Sequence, residues 1–159
     1  MPPPTVDAMT PDIEVSRDIA AAPGDVFAAL TDITRMGEWS PETHTAEWNE
    51  GFDHPVVGAE YTGHNRNGDK EWSIMARITE LVPDERFFFD CESRGFVFSK
   101  WGYSIEPTEN GCRVTEYSQD LRPEAALARS AEISGVADRK SHNRAGMEAT
   151  LERLAAALE

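Results

Sequence analysis

Four short turn signals, Asn67-Gly68, Pro83-Asp84, Arg94-Gly95 and Asn110-Gly111, divide the middle of this chain into runs that have no room for crossovers. Asn, Gly, Asp and Pro favour tight reversals because they tolerate or preset the backbone angles that such turns need. Parallel strands require a dozen or more connecting residues, so runs joined this closely must pair antiparallel, each with the next. The spacing predicts strands over 43–49, 58–66, 70–82, 86–93, 97–106 and 111–121. A further strand precedes them over 12–19. There Ile13, Val15 and Ile19 alternate with Glu14, Ser16 and Asp18, the period of two of a strand with one wet face.

Helical patterns flank this meander. Pro23 with Asp25 just after it favours a helix start, and Val26, Phe27 and Leu30 supply its apolar stripe. A second short helix or turn is expected through Met36-Gly37-Glu38-Trp39, ending before Pro41. Pro123 and Glu124 open another short helix that Gly135 closes. From Asp138 onward Met147, Leu151, Leu154 and Leu158 recur at spacings of four, three and four, with Asn143 one turn earlier. This last helix is the one element long enough to cover the sheet's apolar face, and a sheet of this size curls as it twists. The expected class is α+β, a curved seven-stranded antiparallel sheet wrapped around a long C-terminal helix, with two short helices after strand 1. Residues 1–11, with four prolines, read as a loose leader, and 12–159 as one domain.

Charge narrows the partners. Lys and Arg total 15 against 29 Asp and Glu, a formal charge of −14, which repels phosphate backbones and anionic headgroups. Nucleic acid and membrane insertion are therefore excluded as expectations, and no run approaches bilayer length. The start, Met1-Pro2-Pro3-Pro4, lacks a basic and apolar signal, and Cys91 and Cys112 have no CxxC spacing. The expected setting is cytoplasmic, as a monomer or homodimer. His44, His54, His64 and His142 form no HxH or HExxH pattern, so no metal is expected. Asn67-Gly68-Asp69 opens no helix and no GxSxG elbow occurs, so neither a cofactor nor an activated serine is predicted.

Several residues can carry chemistry. Trp101, Tyr103 and Ile105 share one strand face, as do Trp72, Ile74, Ala76 and Ile78. These rings either fill a core or line a cavity at the wide end, with Trp72, Trp101 and Tyr103 on its wall. Phe87-Phe88-Phe89 puts rings on both faces, so one must meet solvent, a neighbour or a partner. Asn143 and Met147 lie on the last helix's stripe, with Gly146 removing a side chain where helix and sheet approach. Asn143 either makes an internal hydrogen bond or orients a ligand. Alternation makes Asn65 the inward residue and His64 the outward one. Glu116 shares the face of Val114; buried, it would be a general acid or base, but a bulge would turn it to water, and the solvated position is favoured here. His142, at the edge of the stripe, is a candidate base at a pocket rim. Glu116 and His142 are thus the catalytic candidates.

The order of the motifs resembles the SRPBCC superfamily, also called START-like, in its polyketide cyclase/dehydrase branch. The resemblance rests on Ile19-Ala20-Ala21-Ala22-Pro23 before Val26-Phe27, on Met36-Gly37-Glu38-Trp39-Ser40-Pro41-Glu42, on Val57-Gly58, on Trp101 to Pro107, and on Gly111-Cys112-Arg113-Val114-Thr115. Tyr61-Thr62-Gly63-His64-Asn65 with Trp72, and His142 to Met147, are similar to an actinobacterial group of that superfamily without a settled activity. The resemblance implies a helix-grip fold and an internal cavity for a small hydrophobic ligand, lipid or polyketide-like. Trp39 joins Asn65, Trp72, Trp101, Tyr103, Glu116, Asn143 and Met147 as the ligand-binding set. The alternatives are a cyclase or dehydratase-like enzyme using the same cavity, and a protein-interaction module with a filled interior. An internal volume of roughly 300 Å³ or more is the expectation for a ligand carrier.

Overall fold

The computed structural model describes residues 9–159. Seven strands, β1 (Ile13–Ile19), β2 (Thr43–Trp48), β3 (Glu60–Asn67), β4 (Lys70–Val82), β5 (Arg86–Ser93), β6 (Phe96–Thr108) and β7 (Gly111–Asp120), form one antiparallel sheet in the order β1-β7-β6-β5-β4-β3-β2. Every pair after the β1–β7 closure is a hairpin or sequential neighbour, as the turn chemistry requires. Arg94 and Gly95 link β5 to β6 with φ of 52° and 82°, the positive values of a two-residue reversal matched to strand twist. Residues 1–8 of the predicted leader lie outside the described residues. In its last part the Thr10 backbone N–H donates to Gln119 Oε1 at 3.0 Å.

Helix α1 (Pro23–Thr31) and a 3₁₀ turn (Ile33–Glu38) follow β1. The 3₁₀ turn starts earlier than expected because Asp32 caps it, its Oδ1 accepting from the Thr34 N–H at 3.3 Å and hydroxyl at 2.6 Å. Helix α2 (Glu124–Ser134) ends at Gly135 in the left-handed region, and Asn67 ties it to the β3–β4 turn by donating to the Ser134 carbonyl at 2.8 Å. Helix α3 (Arg139–Leu158) is capped by Asp138, whose carboxylate accepts from the Ser141 N–H at 3.1 Å.

The core lies between the concave face of the sheet and α3. Leu151, Leu154 and Ala155 of α3 pack with Ile19, Val26, Leu30, Ile78, Phe87, Ile105 and Val114. Phe88 points to the other face, where the neighbour is its own sheet. It stacks on Tyr117 at 5.8 Å, Arg86 lies over its ring, and a Cβ on Gly102 would sit 2.0 Å from it, so only glycine leaves room. Gly146 faces Pro41 and not the sheet, and a Cβ there would meet Pro41 at 3.6 Å, an ordinary contact. No helix among the described residues is long and apolar enough to cross a membrane.

Candidate ligand-binding site

Toward the N-terminal end of α3, sheet and helix diverge and leave a cavity of about 190 Å³ with a mostly apolar lining. Its inner wall comes from alternate residues of neighbouring strands, because a pleated strand turns every second side chain inward. Tyr61 pairs with Ala76, Asn65 with Trp72, Phe89 with Trp101 and Tyr103 with Glu116, all facing the cavity. Trp39 and Met147, 3% and 2% exposed, close it from the 3₁₀ turn and from α3. Tyr61 meets Trp48 and Phe89 edge-on, which fixes its ring.

Glu116 is buried, 5% exposed, so the solvated position expected for it is wrong. β7 keeps a regular register with β6 and with β1 through this position, so no bulge turns it outward. The Tyr103 hydroxyl donates to Glu116 Oε2 at 3.1 Å, while Oε1 has no partner among the described residues. Burial pushes the Glu116 carboxyl up to about 8, against a smaller lowering by the Tyr103 hydrogen bond. The hydroxyl of Tyr61 is likewise buried without a partner, and burial raises both tyrosines well above their ordinary value. Cys91, beside Tyr61, is pushed to about 12 by burial and is an inert wall.

The outer end of the cavity is polar. Arg139 donates to both oxygens of Glu42 at 2.9 Å and to Asn143 Oδ1 at 3.2 Å, and lies over the Trp72 ring at 5.9 Å. His142 Nε2 lies 3.1 Å from Glu42 Oε2. Across the mouth Arg122 holds Asp120 at 2.6 Å and donates to Ser130 of α2 at 2.7 Å. Partial burial pushes Asp120 up, but the hydrogen bonds and charge of Arg122 outweigh it and hold the carboxyl below its ordinary value. Two ion pairs thus frame the opening, Glu42–Arg139 joining the segment before β2 to α3, and Asp120–Arg122 at the end of β7, tied to α2 by the hydrogen bond to Ser130.

All eight residues of the expected ligand-binding set lie on this wall or rim, and so does His142. Asn65 is inward as expected, 6% exposed and accepting from the Thr43 hydroxyl at 2.7 Å. His64 faces outward between Glu47 and Ser73. Sequence reasoning left Tyr61 out of the set, although its alternation with Gly63 and Asn65 carries the signal. Arg139, Glu42 and Arg122 were also missed.

Residues 10–159 match the family model described as polyketide cyclase / dehydrase and lipid transport. The solution structure of the Polyketide_cyc-like protein Cgl2372 from Corynebacterium glutamicum is 33% identical, with a TM-score of 0.50 over 91% of this chain and 81% of that one. Protein CV1439 from Chromobacterium violaceum shares the fold at 20% identity, with a TM-score of 0.68 over 92% and 96%. So does the di-domain ARO/CYC StfQ from the steffimycin biosynthetic pathway, at 14% identity and a TM-score of 0.68 over 91% of this chain and 49% of that one. No curated protein matches the sequence.

Proposed function

The chain belongs to the polyketide cyclase / dehydrase and lipid transport family, and on that premise we propose that it binds a small, mostly apolar molecule between the sheet and α3. The observation that carries the reading is the cavity of about 190 Å³, a space the core side chains leave open beneath a polar mouth. Native cores leave few voids larger than a water molecule. The volume falls short of the roughly 300 Å³ expected of a carrier, which limits the ligand to a compact one, on the scale of one or two fused rings. Burying about 200 Å² of such a molecule at ~25 cal/mol/Å² contributes roughly 5 kcal/mol before the cost of association.

Trp39, Trp72, Trp101, Tyr103 and Met147 serve as apolar wall, and Asn65, Glu116 and Asn143 orient the ligand. α2 and the Ser40–Glu42 segment gate the opening. One chain builds the whole site, so monomer and homodimer both suffice, and the cytoplasmic setting expected from the sequence goes with this reading. Native mass spectrometry of protein purified from its own cells tests it. A co-purified small molecule released on denaturation is the expected result; a bare protein mass, with no binding of compact apolar probes, contradicts the reading.

A second reading is supported by Glu116. A buried carboxyl with a pKa of about 8, hydrogen-bonded to Tyr103 inside a ligand cavity, is poised to exchange a proton near neutral pH. A cyclase or dehydratase-like reaction would use it as general acid or base. Loss of turnover with retained binding in Glu116→Gln separates the enzyme from the carrier.

A further inference from the structure

Two polar atoms on the cavity wall stand apart from the rest of the interior. Glu116 Oε1 and the Tyr61 hydroxyl are closed to solvent and have no hydrogen-bond partner among the described residues. Leaving a buried polar group unpaired costs roughly 1–3 kcal/mol each. Both belong to side chains that line the same cavity, from strands β7 and β3, with Tyr103 of β6 hydrogen-bonded to Glu116. Such atoms are satisfied when something entering the cavity brings an oxygen to them.

We propose that the ligand is a compact, otherwise apolar molecule bearing a carbonyl, whose oxygen is held at the buried end of the cavity by the Glu116 carboxyl and the Tyr61 hydroxyl. This rests on the binding reading above and names the chemistry that the site selects. Tyr103 occupies Glu116 Oε2 with its own O–H, so the acid's proton resides on Oε1 and is free to be donated. The Tyr61 O–H is the second donor. A carbonyl has two lone pairs and no proton, so it satisfies both donors without adding an unpaired one. A hydrocarbon would leave both groups orphaned.

The recognition depends on Glu116 being neutral, and burial holds its pKa near 8. The titratable groups around it are Tyr103 on β6, Tyr61 on β3 and Cys91 on β5. The charged groups of the mouth are Asp120 and Arg122 beyond the end of β7, Glu42 before β2, and Arg139 and His142 on α3. Raising the pH through about 8 ionises Glu116, removes its donor and turns it into an acceptor facing the carbonyl.

Calorimetric titration with 1-tetralone and with tetralin, the same fused rings without the oxygen, tests this in the intact chain. At pH 6.5 the ketone is expected to bind at least about tenfold more tightly, the equivalent of one or two net hydrogen bonds. By pH 9.5 the advantage should fall below about threefold, while tetralin affinity stays flat. Glu116→Gln, whose amide N–H still donates, should retain the ketone preference and lose its pH dependence, which separates Glu116 from His142. Tyr61→Phe should reduce the preference at every pH. Equal affinities for ketone and hydrocarbon overturn the carbonyl assignment and leave apolar binding intact; a pH dependence that persists in Glu116→Gln also overturns it. Binding of neither probe overturns this inference together with the reading beneath it.

Discussion

Tyr103 and Glu116 sit directly opposite each other on β6 and β7, and the tyrosine hydroxyl donates to the carboxyl at 3.1 Å inside the cavity. The pair places an acid where an apolar side chain would pack more cheaply, and one of its oxygens has no partner among the described residues. Such a position lowers stability.

The cost is measurable through pH. The folded chain holds the Glu116 proton up to about pH 8, whereas the unfolded chain releases it near its ordinary value of 4.5. Between those values the unfolded state binds fewer protons, so this group makes stability fall as pH rises and level off above about 8. Glu116→Gln removes that slope. Denaturant unfolding should show the variant near wild type at pH 4.5 and more stable at pH 8, by an amount on the order of a few kcal/mol. A gap that does not grow with pH would contradict the burial of an ionisable group here.

Glu42 links the segment before β2 to α3 through Arg139 and His142. Glu42→Ala breaks both contacts at the mouth without touching the inner wall. Stopped-flow fluorescence of the cavity tryptophans should show an apolar probe leaving several-fold faster. Global stability should drop by no more than about 1–2 kcal/mol, since these groups are partly exposed. Unchanged exit with a large stability loss would make the pair structural and not a gate.

Met147 is 2% exposed and forms the helix side of the cavity. Met147→Ala should cost about 2–5 kcal/mol by denaturant unfolding, and it enlarges the space. Larger ring systems excluded from the wild type should then bind in calorimetry. A loss of stability without any change in the size of probe accepted would place the cavity elsewhere.

The fold was legible because its information is local. Turn dipeptides and period-two runs placed β4 and β5 at their observed residues, and the stripe from Met147 to Leu158 gave α3 its buried face. Asn65 followed from alternation. Glu116 obeyed the same alternation, but a bulge would have turned it to water, and only the unbroken register of β7 with both neighbours places it inside. The mouth was hidden for a different reason. Arg139 meets Glu42 across 97 residues, and no periodicity reports which of many surface charges will pair. Tyr61 was readable as inward, yet its unpartnered hydroxyl depends on what the curled sheet brings near it.

If the space between the sheet and α3 takes up an apolar molecule, filling that space must abolish binding. Calorimetric titration of tetralin against the wild type and Ala76→Leu tests it directly, because Ala76 is a small wall residue beside Tyr61 and a leucine there occupies the cavity. Saturable one-to-one binding is expected in the wild type, abolished in the variant while its thermal unfolding is unchanged or higher. No binding to the wild type, or equal binding to both, would contradict it.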